Sequence, residues 1–213
     1  MRNTLDGQAA ITAIKEVVGD NGWLADAADV EPYVNEWLKI LEGTCQMVVR
    51  PGTTEQVAQV IYICHNAGIS ITPQGGNTGM VGGAVPDGGI VLSTERLNNV
   101  RELDADNATL TVEAGCLLAD VQATASAAGF LFPLTLASEG SCCIGGNIST
   151  NAGGNNTVRY GNTREQVLGL EVVLPDGRVW DGLRGLRLRR SGVDGAPPVP
   201  LPRRGPGRAR LRL

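Results

Sequence analysis

No run of the chain approaches the ~20 apolar residues that a membrane helix requires, so no membrane span is expected. The first residues carry Asp6, Lys15 and Glu16 where a signal peptide would need an apolar core, and export is not indicated. Cysteine occurs five times, at Cys45, Cys64, Cys116, Cys142 and Cys143, but never as C-x-x-C. The odd count and the adjacent pair argue against both a disulfide framework and a zinc site, and reduced thiols in a cytoplasmic setting are the plain reading. Aromatic residues are only 4% of the chain, and Trp23, Trp37 and Trp180 are expected to serve as packing residues. Histidine occurs once, as His65, near the end of a predicted helix. A surface or packing role suits it better than that of a general base.

What is present is unevenly spread. The 213 residues suggest one to two domains, and 42% of them are apolar, which argues against wholesale disorder. The formal net charge of −4 conceals a split. Residues 1–182 hold 9 Lys+Arg against 21 Asp+Glu, whereas residues 183–213 hold 9 Arg against the lone Asp194. Glycine is abundant, at 29 of 213 residues, about double its usual share, and much of it falls in a few loops.

Apolar spacing predicts a helix over residues 6–19, with Asp6 as its N-cap. Residues 45–49 read as a strand that stops at Arg50-Pro51, and Thr53-Thr54-Glu55 opens a helix with Val57, Val60, Ile61 and Cys64 on one face. Residues 69–72 form the next strand, so a βαβ unit with a parallel strand pair is predicted. Residues 90–92 supply a third strand. Residues 100–104 and 109–113 read as a hairpin, 117–128 as an alanine-rich helix, and 168–174 and 178–180 as strands flanking Pro175-Asp176-Gly177. A parallel first half and an antiparallel second half make an α+β protein with two sublobes.

Two glycine loops stand out. Pro73-Gln74-Gly75-Gly76-Asn77-Thr78-Gly79-Met80-Val81-Gly82-Gly83 directly follows a strand. Removing Cβ atoms there lets backbone approach a partner closely, and consecutive N–H groups can form a nest for phosphate oxygens. A loop that only needs positive φ is the equally weighted structural explanation. Neither the Walker ending G-K-[ST] nor G-x-G-x-x-G is present, which disfavours an ATPase or a standard nicotinamide fold. The second loop runs Ser138-Glu139-Gly140-Ser141-Cys142-Cys143-Ile144-Gly145-Gly146-Asn147, followed by Asn151-Ala152-Gly153-Gly154. It could clamp the other end of a long diphosphate ligand, or it could simply pack backbone tightly.

The order of these strings carries a resemblance. Val48-Val49-Arg50-Pro51, Pro73 through Gly83, Glu113-Ala114-Gly115, Gly140-Ser141-Cys142, Ile144-Gly145-Gly146-Asn147, Thr150 through Gly154, Arg159-Tyr160-Gly161 and Leu168 through Gly177 occur in sequence. Together they resemble the FAD-binding domain of the vanillyl-alcohol-oxidase/p-cresol-methylhydroxylase (PCMH) type. The branch they match best holds D-2-hydroxyglutarate dehydrogenase, D-lactate dehydrogenase and the glycolate oxidase FAD subunit. The resemblance covers residues 45–187 and stops there, so residues 1–44 are expected as an N-terminal helical segment and the FAD domain as incomplete, with the family's cap domain absent.

The resemblance implies FAD as cofactor. It places Pro73, Gln74, Gly75, Gly76, Asn77, Thr78, Gly79, Gly82 and Gly83 around the diphosphate. Gly140, Ser141, Gly145, Gly146 and Asn147 fall against the flavin and ribityl chain, and Ala152, Gly153 and Gly154 border the isoalloxazine. Cys143 departs from the family, where histidine is common, so non-covalent binding is expected. Arg159 and Tyr160 could lie near the flavin or be structural. The implied reaction passes a hydride from a D-2-hydroxy acid to the flavin and electrons onward to a flavoprotein, quinone or dye. No catalytic residue can be assigned, because the family's substrate clamp, metal ligands and base lie in the cap. No metal and no nucleic acid are expected, and a homodimer is a candidate assembly. A non-catalytic flavin module serving a separate cap chain is the alternative, and an enolpyruvyl-glucosamine-type reductase fits the loop strings poorly.

Residues 188–213 match nothing in the family. From Leu183 onward there are nine Arg, no Lys and five Pro in 31 residues. Such a tail could bind an anionic surface or RNA, or be a solvated disordered segment. An out-of-frame stretch of a GC-rich gene accounts for it best. CGC-CAC-CTG-TTC, encoding a family-like Arg-His-Leu-Phe, reads one base out of register, with a preceding G supplied by the codon before, as Ala-Pro-Pro-Val, the string at residues 196–199.

Overall fold

The computed structural model describes residues 6–183, 207–208 and 210–212. Among them, helix α1 (Gly7–Val18) is followed by strand β1 (Trp23–Leu24) and helix α2 (Ala27–Val34). Next come β2 (Met47–Val49), α3 (Thr54–Ala67), β3 (Ile71–Gln74) and β4 (Ile90–Ser93). The second lobe contains β5 (Val100–Asp104), β6 (Thr109–Val112), α4 (Leu118–Ala127), β7 (Phe130–Leu131), α5 (Ile144–Ser149) and α6 (Thr157–Tyr160). It continues with β8 (Val167–Gly169), β9 (Glu171–Val173) and β10 (Val179–Asp181), then β11 (Gly207–Arg208) and β12 (Arg210–Arg212).

The first sheet has the order β1-β2-β4-β3. β2 and β3 are both parallel to β4, which lies between them, so the βαβ strands predicted as a pair are separated by one strand. The burial pattern explains the insertion: every residue of β4 is buried, the signature of a strand covered on both faces. α3 starts where Thr53 Oγ1 accepts a hydrogen bond from Gln56 N at 3.2 Å and ends at left-handed Gly68. Its apolar face packs with Ile14 and Val18 of α1 and with Met47, Val49, Ile90 and Leu92 in one core. Asp6 stands at the N-cap position of α1 but makes no capping bond.

The described part of residues 1–44, the predicted N-terminal helical segment, packs into this lobe. β1 pairs antiparallel with β2, and Gln56 Nε2 donates to Val17 O at 3.1 Å. The acidic stretch around Glu31-Pro32-Tyr33 lies in the second half of α2. A single proline costs an eight-residue helix one internal hydrogen bond, and its neighbours supply the rest.

The second sheet has the order β5-β6-β12-β8, with β5 and β6 as the predicted antiparallel hairpin. Its core gathers Leu110, Val112, Leu118, Val121, Phe132, Leu134 and Ile144. The strand predicted over 168–174 breaks at Leu170 into β8 and β9, and β9 pairs with β10 across the Pro175-Asp176-Gly177 turn. Gly177 takes φ +83° there, and a Cβ on it would stand 2.8 Å from the Ala58 carbonyl of α3. From the tail, β12 joins the sheet parallel to β6 and β8, and β11 pairs with β7. The rest of the tail lies outside the described residues.

Arg101 ties the two lobes together alongside the Thr54–Glu171 hydrogen bond at 2.8 Å. Arg101 of β5 donates to Glu113 Oε1 (3.2 Å), to Glu171 Oε1 (3.0 Å) and to Thr54 Oγ1 on α3 (3.0 Å). Of the three tryptophans, Trp23 packs on the first core, whereas Trp37 and Trp180 are exposed, contrary to the expected packing roles. Among the described residues, no helix is long and apolar enough to cross a membrane. The architecture is α+β with two lobes; the second lobe, expected to be mostly antiparallel, keeps antiparallel pairs at β5–β6 and β9–β10, but β11 and β12 add parallel pairs with β7, β6 and β8.

Candidate cofactor cleft

Where the lobes meet, a cleft of about 540 Å³ opens, within the size range of small-molecule sites. Its walls come from Pro32 and Tyr33 of α2, Gln74–Asn77 of the first glycine loop, and Glu95 and Asn98 after β4. Gly115, Leu117 and Asp120 lie at the start of α4, and Ser141 and Cys143 belong to the second loop. The cleft sits beyond the C-terminal ends of the parallel strands β3 and β4, the position where open parallel sheets hold their ligands.

The two loops touch. A Cβ on Gly76 would stand 1.8 Å from the Ser141 carbonyl oxygen, and a Cβ on Gly75 would stand 3.0 Å from Cys143 Cβ. Only glycine permits this approach. After the contact, the first loop leaves its backbone unspent: among the described residues, no N–H from Asn77 through Ala84 donates to a protein acceptor. Asn77, at φ +49°, turns the chain there and donates its side-chain amide to Pro32 O (3.2 Å) and Asn35 O (2.7 Å). Gln74 likewise spends its amide on Tyr33 O and Ala84 O, both at 2.9 Å. Both amides hold the α2 segment against the cleft instead of facing into it.

The second loop spends its backbone on the protein. Ile144 N donates to Cys116 O, Gly145 N to Ala114 O, and Leu118 N to Cys142 O. A Cβ on Gly145 would meet Ala114 Cβ at 2.9 Å, one on Gly153 would meet the Asn162 amide oxygen, and one on Gly154 would meet the Thr135 carbonyl. Asn147 is buried and donates to Cys142 Sγ at 3.5 Å.

Of the residues singled out by sequence, the structure therefore brings Gln74, Gly75, Gly76, Asn77 and Ser141 to the cleft. Pro73, Thr78, Gly79, Gly82, Gly83, Gly140, Gly145, Gly146, Asn147, Ala152, Gly153 and Gly154 do not line it. Around Gly79, Gly83, Gly140 and Gly146 a Cβ would meet nothing within 4 Å. Arg159 stacks over the Tyr160 ring, 5.2 Å from its centre, and His65 is exposed in the last turn of α3.

Sequence reasoning missed Tyr33, Glu95, Asn98, Leu117 and Asp120. Tyr33 Oη donates to Glu95 Oε2 at 2.7 Å, and Arg50 Nη1 donates to Glu95 Oε1 at 3.0 Å. Burial first, then the Glu95 hydrogen bond, pushes the Tyr33 phenol up to about 12, so it stays a donor at any ordinary pH. Burial also pushes the Cys143 thiol up, which keeps it protonated and a poor nucleophile. The one available signal was placement: Glu95 lies just past a buried strand, at the ligand end of a parallel sheet.

The sequence profile of the family described as FAD binding domain matches residues 45–182. The chain belongs to that family. The chain is 43% identical over 172 residues to a protein named D-2-hydroxyglutarate dehydrogenase, mitochondrial, of Bos taurus, covering 80% of this chain and 32% of that one. The counterpart of the same name in Danio rerio is 46% identical over 160 residues, or 75% of this chain and 30% of that one. The chain thus spans about a third of the length of these relatives. Among solved structures, alkyldihydroxyacetonephosphate synthase superposes with a TM-score of 0.75 at 17% identity, covering 84% of this chain and 38% of that one. That likeness speaks for the two-lobed PCMH-type fold alone.

The residues of the FAD-binding domain fit FAD. A diphosphate needs N–H donors, and the first loop offers a run of amides without protein acceptors that begins at Asn77 on the cleft wall. A long cofactor needs an open, two-walled cleft, and the loop contact at Gly76 provides one. Its sugars need acceptors, which Glu95, Asn98 and Asp120 carry.

Proposed function

We propose that this chain is the cofactor-holding part of a D-2-hydroxy-acid dehydrogenase. The observation that carries the reading is the cleft between the lobes, with glycine backbone on both sides and unpaired amides on the first loop. It is supported by relatives bearing that activity in their names. The loop amides from Asn77 onward, beside Gly75 and Gly76 on the cleft wall, would receive the diphosphate. Ser141 and Cys143 would close the far wall, and Gln74 and Asn77 would hold α2 in place as a third wall. Bound FAD supplies the acceptor for a hydride from the substrate carbon. The protein's own part is orientation and exclusion of water.

The remaining site residues of the two loops, Thr78 to Gly83 and Gly140 to Gly154, belong to the same proposal as backbone that shapes the cofactor's path. Binding is non-covalent, because the cleft offers a protonated Cys143 and no histidine. Substrates of this class are D-2-hydroxyglutarate, D-lactate or glycolate, and the electrons pass to a flavoprotein, quinone or dye. The unpaired cysteines suit a reducing compartment such as the cytoplasm.

A second reading is a flavin-binding module that works with a separate chain carrying the substrate residues; it is favoured by the cleft lining, where no described Lys, Arg or His stands to clamp a substrate carboxylate. The absorbance spectrum of the purified chain with added FAD tests the first point: about one equivalent of protein-bound flavin is expected, and none refutes the reading. Dye reduction with D-2-hydroxyglutarate then separates the two. We expect these 213 residues to bind flavin without normal turnover, and a normal rate would rule out the module.

A further inference from the structure

The cleft contains a carboxylate that the cofactor's phosphates cannot use. Glu95 is 38% exposed at its side chain, faces the cleft and is anchored twice, by the Tyr33 hydroxyl at 2.7 Å and by Arg50 at 3.0 Å. Each anchored oxygen retains a free lone-pair direction. The anchors suit a group that must hold still beside an anionic ligand. Arg50 compensates the charge, and Tyr33 remains a protonated donor because its phenol is held far above neutral pH.

The neighbouring side chains narrow what Glu95 can contact. Gln74 and Asn77 spend their amides on backbone carbonyls, and Ser141 Oγ donates to Ser138 O at 3.3 Å. Among the described residues, no Lys, Arg or His lines the cleft. A diphosphate would therefore sit on the loop amides, kept away from Glu95 by like charge. What remains within reach of a fixed carboxylate is a donor, and the donors of a dinucleotide other than its bases are sugar hydroxyls.

We propose that Glu95 is a cofactor-binding residue that accepts hydrogen bonds from a sugar diol of FAD, the ribityl chain or the adenosine ribose, with Tyr33 and Arg50 as its positioning residues. The inference rests on the FAD reading above. Hydrogen bonds to a charged acceptor are about twice as strong as neutral ones, so one carboxylate can set the affinity for a hydroxyl-rich ligand.

Fluorescence titration of the apo full chain with FAD tests it, alongside Glu95→Gln, Glu95→Ala and Tyr33→Phe and with thermal melts of each apo protein. Both Glu95 variants are expected to melt near the wild type and to bind FAD at least tenfold more weakly. Tyr33→Phe keeps the carboxylate and should lose less. Competition by riboflavin and by ADP-ribose identifies the sugar: the competitor whose affinity falls in step with FAD carries the diol. Unchanged FAD affinity in Glu95→Gln overturns the proposal, as does tighter binding, which would mean that the carboxylate only repels. A loss for FAD with both competitors unchanged overturns it as well. Failure of the wild type to bind FAD overturns this proposal together with the cofactor reading, which separates it from a failure confined to Glu95.

Discussion

Gly76 and the Ser141 carbonyl form the contact on which the cleft depends: a Cβ at residue 76 would lie 1.8 Å from that oxygen. Real Cβ atoms do not approach a carbonyl so closely, so the two glycine loops can meet only because residue 76 has no side chain. Gly76→Ala should force the loops apart. A loss of roughly 2–3 kcal/mol in urea unfolding is expected, the range of an overpacked interior, together with weaker FAD binding. Gly79→Ala, where a Cβ meets nothing, should unfold within about 0.5 kcal/mol of the wild type.

Asn77 separates backbone need from side-chain need. It holds φ +49° and bonds two carbonyls of the α2 segment. Asn77→Gly relieves the backbone but loses both bonds, whereas Asn77→Asp sets a carboxylate against two carbonyl oxygens. The aspartate variant should be the less stable by about 1–2 kcal/mol, the cost of an unsatisfied and repelled polar group. Denaturant melts of the two variants check the order.

Arg101 ties α3 to the second lobe through Thr54, Glu113 and Glu171. Its side chain is a third exposed, so solvent screening reduces what the ion pairs contribute. Arg101→Ala should cost about 1 kcal/mol, and the difference from wild type should shrink in high salt. An unfolding series with rising sodium chloride measures both.

Alkaline pH should loosen the fold in a defined window. Burial raises the thiols of Cys64 and Cys116 from 9.0 to about 11, and the Tyr33 phenol rises from 10.0 to about 12. Each group is neutral when protonated, and the folded state holds that proton more tightly. The stability they contribute is therefore complete below the unfolded values and disappears as pH rises through the folded ones. Unfolding midpoints should fall between pH 9 and about 12, less steeply in Cys64→Ala.

Thiol labelling reads the cleft directly. Cys143 lines it and Cys64 is buried in the first core. Both should react slowly with iodoacetamide at neutral pH, since the thiolate is the reactive form. Added FAD should slow Cys143 further and leave Cys64 unchanged. Equal protection of both would indicate global tightening instead of cleft occupancy.

The sequence by itself determined the ingredients. Apolar runs and caps placed α3, β2, β4 and the β5–β6 hairpin, because local periodicity and capping are encoded within a few residues. The first glycine loop could be recognised by its composition and its position after a strand, and the order of the strings indicated the family. Only the tertiary structure decided which glycines face a ligand. Gly76 and Gly154 both lack a Cβ for steric reasons, yet one joins the two walls of the cleft and the other packs on Thr135, and nothing local distinguishes them. Strand order was decided there too, since the choice between β3 and β4 beside β2 depends on which strand is covered on both faces. Glu95 carried no motif at all. Its place opposite Tyr33 spans 62 positions of sequence, a distance that only packing closes.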